Sequence, residues 1–168
     1  VSSDGGAAII ERGVVYALTA TNTQPLLNGA GVTRLVGTGT TGPFVVSASG
    51  LTRNTSYSFT AYATNSAGTS YSTVGTFTTL AMAPSVTTHP TSRSLTISDT
   101  ATFTASASGD PTPAVQWQLS TDGGSTWANI ANATSPTYSF TTTIGDHATR
   151  YRAQFSNVGG SATTNVAM

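Results

Sequence analysis

The chain has 168 residues, enough for two domains of roughly 80 residues near the small end of the usual range. Only 7% of it is charged, no Lys is present and the net charge is zero, a balance that argues against nucleic acid or an anionic membrane as partner and does not oppose contact between copies. Cysteine is absent, so no disulfide staples the fold, and no segment approaches the ~20 apolar residues of a membrane-inserted helix.

The first half reads as strands only. Glu11–Ala20 alternates Val14, Tyr16 and Leu18 against Val15, Ala17 and Thr19, the period of a half-buried strand. A polar loop over Asn22–Gly31 precedes a strand at Val32–Val36, and a Gly-rich turn leads to a strand at Phe44–Ser49. Leu51–Gly68 then carries Tyr57, Phe59, Ala61 and Ala63 on one face and leaves through Asn65 and Gly68, residues that suit a tight turn. Tyr71–Thr79 closes the half, and Pro84 restricts Ala83 to extended conformations, so residues 81–84 read as a short linker.

The motifs ERGVVY, GLTRNTSY, AYATNSAGTSY and FTT give residues 1–80 a resemblance to bacterial fibronectin type III-like modules. Such modules begin with two strands for which Ser2–Ala8 leaves no room, so this domain is expected to be incomplete at its N-terminus, with five strands where a complete sandwich has about seven. The strands around Val14, Val32, Tyr57 and Phe77 would form one sheet, leaving Phe44–Ser49 alone to represent the other. The chain begins at Val1 with neither initiator Met nor signal peptide, and is expected to be a processed or excised segment.

Residues 85–168 read as a full set of strands. Leu95 and Ile97 come first, followed by Ala101–Ser108, Val115–Ser120, Trp127–Ile130, Tyr138–Thr142, the Tyr151 strand and Ser161–Val166. The motifs ATFTASASGDPTPAVQW and DHATRYRAQFSNVGGSA resemble bacterial Ig-like domains of the intermediate type. The resemblance places Trp117 at the core Trp and sets Ala105 and Ala153 where that family has its two disulfide cysteines. It also implies that Tyr57 and Tyr151 form tyrosine corners, each hydroxyl bonding to upstream backbone. The expected fold is all-β, two tandem immunoglobulin-like and fibronectin III-like β-sandwiches.

Candidate chemistry is sparse. Gly37-Thr38-Gly39-Thr40-Thr41-Gly42 has the GxGxxG spacing, but strand residues follow where a dinucleotide site needs a helix, so it reads as a turn. Ser120–Trp127 resembles the Asp-box hairpin of sialidases and other β-proteins, with Asp122 holding the turn and Trp127 packing beneath it. His147 stands beside Asp146, yet neighbours on an extended chain point apart, and His89 is remote in sequence. The six acids, Asp4, Glu11, Asp99, Asp110, Asp122 and Asp146, are scattered, unlike a calcium loop. No catalytic residue, cofactor site or metal ligand set is expected. Asn54-Thr55-Ser56 and Asn132-Ala133-Thr134 fit the N-glycosylation sequon, and are expected to be unused in a bacterial protein. Tyr62 and Tyr71 are expected on the outer face of the first domain as a possible sugar-stacking platform.

These readings point to a non-enzymatic extracellular or cell-surface protein of structural character, such as a subunit of a surface layer, stalk or filament. Its expected partners are other copies of itself or neighbouring domains of one parent chain. Strand complementation would be the joining device, with Ser161–Met168 a candidate donor, though that run is also needed as the second domain's own last strand. The alternative is an adhesion or carbohydrate-binding accessory module with a glycan as partner.

Overall fold

A computed structural model describes residues 1–168, and the chain divides into two compact units, Val1–Leu80 and Ala81–Met168. Strands supply nearly all the regular structure, with one 3-10 turn at Ile144–Asp146. The fold is all-β.

The first unit is one antiparallel sheet built on β1 (Glu11–Leu18), β2 (Thr33–Gly37), β3 (Ser56–Asn65), β4 (Gly68–Tyr71) and β5 (Gly75–Thr78). Its order is β2-β1-β3-β4, with β5 also paired to β3. The longest strand, β3, is central, and its register with β1 sets Tyr16 opposite Phe59 and Leu18 opposite Tyr57. Period-two geometry then gives the sheet two unlike faces.

One face carries Val14, Tyr16, Leu18, Tyr57, Phe59, Ala61 and Phe77. Its rings touch: Tyr16 meets Tyr57 at 5.9 Å, and Tyr57 stacks on Phe77 at 5.5 Å. Yet Leu18 remains 40% exposed and Phe77 38%. The other face carries Gly13, Val15, Ala17, Ser58, Thr60 and Tyr62, and it is the better buried of the two. The β1–β2 loop covers it: Pro25 is fully buried, Thr19 Oγ1 pairs with Ser58 Oγ at 3.0 Å, and Leu27 N–H donates to the Tyr71 hydroxyl.

The expected strand at Phe44–Ser49 does not form; residues 43–49 have no regular structure and Val45 is 89% exposed. A strand exists only through a ladder partner, and none lies alongside this segment. Phe44 is held instead by Gly37 and Arg12. A Cβ on Gly37 would come within 2.6 Å of the Phe44 ring, and the Arg12 guanidinium lies 4.7 Å from the ring centre. The first unit thus has one layer.

The second unit has two. One sheet runs β10-β9-β12-β13, from Ala128–Asn129 (β10), Ala114–Ser120 (β9), Arg150–Asn157 (β12) and Gly160–Thr163 (β13). The other follows the run Thr100–Thr104 (β7) and Ser106–Asp110 (β8). The first half pairs with Thr137–Thr141 (β11) and the second with Met82–Thr88 (β6). The ladder breaks at Ala105, whose N–H bonds Pro136 O at 3.0 Å instead. Ala101, Phe103 and Ala105 from this layer meet Val115, Trp117, Tyr151, Ala153 and Phe155 from the other in a single buried cluster.

Three expectations are corrected here. The linker over 81–84 is largely strand: Met82, Ala83 and Pro84 belong to β6, and Pro84 sits in the register shift between Met82 and Ser85. A bulge is where a sheet tolerates a residue without an N–H. Leu95 and Ile97 do not begin a strand but lie in the irregular stretch 89–99, 43% and 61% exposed. Ser161–Met168 is not free to be donated, because β13 pairs with β12 and Ala167 exchanges both backbone bonds with Tyr151.

Candidate functional site

Tyr57 makes the expected corner. Its ring is buried and its hydroxyl accepts from Thr52 N–H at 3.0 Å, tying the segment before β3 to the strand it enters. Tyr151 differs: its hydroxyl donates to the Asp146 carboxylate at 3.3 Å, a side chain where upstream backbone was expected. The 3-10 turn makes that possible. Asp146 Oδ2 accepts from Thr143 N–H and Oγ1–H, each at 2.7 Å, and these bonds hold its carboxyl below the usual range. Burial, then the Asp146 charge, pushes the Tyr151 phenol up. Asp146 is thereby consumed in a turn and does not serve His147. The other histidine, His89, accepts Asn165 N–H through Nδ1 at 2.9 Å.

Trp117 is fully buried and crosses the second domain's core. Its indole N–H donates to Ser135 O at 2.9 Å, one residue from the Pro136 carbonyl that Ala105 bonds. Ala153 lies opposite Trp117 in the β9–β12 register. Ala105 and Ala153 are both wholly inaccessible, within the same cluster as Trp117.

The Ser120–Trp127 hairpin is a closed hydrogen-bond system. Asp122 Oδ1 accepts from Ser120 Oγ–H at 2.7 Å and Thr126 N–H at 2.9 Å, while Oδ2 accepts from Thr126 Oγ1–H at 2.6 Å. These bonds, those from Thr126 first, hold the Asp122 carboxyl well below the usual range. Trp127 donates from its indole to Gly124 O at 3.1 Å. Both Asp122 oxygens are spent on the turn.

Tyr62 does not join Tyr71 in an open platform. It is 2% exposed, its ring lies against Gly13, and its hydroxyl donates to Glu11 Oε1 at 2.5 Å. Burial and the Glu11 carboxylate push its pKa up to about 12. Tyr71 is 37% exposed. Strand alternation sets Tyr62 on the face opposite Tyr16 and Phe59, but that face is the better buried one, and Leu27 of the β1–β2 loop reaches Tyr71 on it.

Arg12 is the buried side chain that sequence reasoning missed. It is 4% exposed, and its guanidinium donates to the carbonyls of Thr38, Thr40, Thr41 and Gly42. The Gly37–Gly42 stretch is therefore a carbonyl cradle for an internal cation, the reverse of the amide cradle that a phosphate needs. The available signal was a cation inside an otherwise apolar alternation, ERGVVYAL, ahead of a six-residue run rich in Gly.

The surface carries two grooves. One, of about 540 Å³, lies in the first domain beside Phe44, Ala61, Ala63, Tyr71 and Val1–Gly5. The other, of about 790 Å³, lies in the second domain between Leu95, Ile97, Phe103, Phe140 and Ile144. No three His, Asp or Glu side chains gather as a metal set, and no helix is long and apolar enough to cross a membrane.

A family described as a domain of unknown function, DUF8696, matches residues 76–168. Endoglucanase C of Cellulomonas fimi is 42% identical over 130 residues, which is 77% of this chain but 11% of that protein. Among solved structures, Sidekick-1 immunoglobulin domains 1–5 align over 94% of this chain and 32% of theirs, with 18% identity and a TM-score of 0.45. The tandem Ig repeats of Dlar align over 93% of this chain and 80% of theirs, with 17% identity and a TM-score of 0.43.

Proposed function

The chain belongs to the family of that domain of unknown function, and we propose that it is a non-catalytic extracellular segment that acts as a structural spacer in a larger secreted protein. The likeness of most of its length to a small part of an endoglucanase supports an accessory place beside a catalytic domain. Asp4, Asp99, Asp122 and Asp146 hold turns and Glu11 holds Tyr62 and Arg34, which supports a role without chemistry of its own.

One observation carries the finer reading. The second domain closes its core between two layers, whereas the first presents Tyr16, Leu18, Phe59 and Phe77 on a face with no opposing sheet. We infer that this face is completed by strands from outside residues 1–80, either from a neighbouring segment of the parent protein or from another copy. Sheets with free faces and edges recruit strands in this way, and a head-to-tail contact that does not close produces filaments.

Sedimentation of the pure chain from micromolar to millimolar concentration tests this. The expected result is reversible growth in size that Phe77→Arg suppresses. A monomer at every concentration, with its first domain fully protected, would contradict strand completion by another copy and leave no open face to complete.

A further inference from the structure

We propose that the outer face of the β10-β9-β12-β13 sheet binds a carboxylate-bearing polysaccharide, a chain of uronic acid residues, through Arg152, Arg150 and Trp127. This does not rest on the spacer reading, since it concerns a different domain and a closed sandwich.

The register sets Arg152 opposite Gln118 and Arg150 opposite Ser120, with Asn129 opposite Gln118 on the far side. All these side chains leave the sheet away from the core, because Tyr151, Ala153 and Phe155 point inward and alternate residues face opposite ways. They form an ordered array. Asn129 Oδ1 accepts from Gln118 Nε2 at 2.9 Å, Gln118 Oε1 accepts from Arg152 Nε at 2.8 Å, and the Arg152 guanidinium lies 4.0 Å from the Trp127 ring centre. Arg150 is close by, for a Cβ at Gly124 would stand 3.3 Å from its Nη1 and 3.7 Å from the Trp127 ring.

This fixes a guanidinium while leaving its best donors free. The Arg152 plane is set by Trp127 and its Nε by Gln118, but Nη1 and Nη2 have no protein partner. Neither arginine has a carboxylate within 4.0 Å, the sole ion pair of the chain being Arg34 with Glu11. The nearby Asp122 is committed to Ser120 and Thr126. In a chain with six acids and six arginines, two unneutralised guanidinium groups side by side call for an external anion. A planar fork with two free nitrogens matches a carboxylate in bidentate geometry.

The setting selects a sugar acid over an acidic peptide. Extended peptides add to sheet edges, and Arg152 stands on β12, an interior strand between β9 and β13. The face lies outside both grooves and offers the amides of Gln154 and Asn129 beside the arginines. Amides and an aromatic edge serve hydroxyl-rich rings laid along the strands.

The test is an NMR titration of the whole chain with an oligogalacturonate, its methyl ester and polyglutamate. The acid should shift the Trp127 indole and Arg152 Nε–H signals, and added salt should weaken it. The ester should bind at least about tenfold more weakly, as should the acid to Arg152→Gln. Arg152→Lys, which keeps the charge and loses the fork, should also bind more weakly. The proposal fails if the acid produces no shifts at these signals, or if ester or polyglutamate binds as tightly as the acid. It also fails if a natively folded Arg152→Gln binds undiminished.

Discussion

Replacing Ala105 and Ala153 together by cysteine should create a disulfide that staples the two layers of the second domain. Both positions are inaccessible and flank Trp117, whose ring spans the layers to reach Ser135 O. The loop so closed runs from residue 105 to 153, 49 residues counting both ends, for which loop-closure entropy gives about 4 kcal/mol. Two sulfur atoms must enter a packed core, which costs about 1–3 kcal/mol. The net gain over the parent should therefore be about 1–3 kcal/mol, or upwards of roughly 4 °C in a domain of this size. The assay is calorimetry of the oxidised and reduced double variant, with thiols titrated in denaturant. Comparing the two redox forms largely cancels the packing cost, so the oxidised form should melt far above the reduced one. Two free thiols after oxidation, or crosslinked dimers alone, would refute the placement of these residues within the roughly 7 Å Cα limit of a disulfide.

Thr60 is fully buried and its Oγ1 has no hydrogen-bond partner, so Thr60→Val should stabilise the first domain by about 1 kcal/mol in urea denaturation. Tyr57→Phe should cost about 1 kcal/mol by the same measure, since it leaves Thr52 N–H without its acceptor. Asp122→Ala should lower the melting temperature at neutral pH and reduce the acid sensitivity of the second domain. The folded pKa of Asp122 is depressed, so its contribution is present above the unfolded value near 3.9 and is lost as pH falls through the folded one. Melting curves of wild type and variant should therefore converge below about pH 4; a constant gap down to the lowest pH would contradict the turn's charge-dependent bonding.

What was legible in the sequence is what is local. The Tyr57 corner closes over five residues and the Asp122 turn over four, so spacing alone specifies them. The Trp117 core and the buried alanine pair followed from family resemblance. What was hidden depends on distant chain. Arg12 finds its carbonyls 26 to 30 positions later, and the lone cation in ERGVVYAL signals a buried partner without saying where in the chain it lies. Tyr62 was set on the face opposite Phe59, but alternation separates two faces without telling which one a loop will cover. Phe44–Ser49 has strand-like residues and no ladder partner, and propensity cannot supply one. Pro84 reads as a linker breaker, whereas β8 accepts it at a bulge.

The central claim is that the first domain carries one layer and an open aromatic face, while the second is a closed sandwich. Amide hydrogen exchange of the intact chain, followed residue by residue at low and high concentration, measures this directly. At low concentration β9 and β12 around Trp117 and Ala153 should exchange far more slowly than β1 and β3 around Val15 and Phe59. Protection of β1 and β3 should rise with concentration as strands are recruited. Equal protection in both domains, unchanged by concentration, would contradict it.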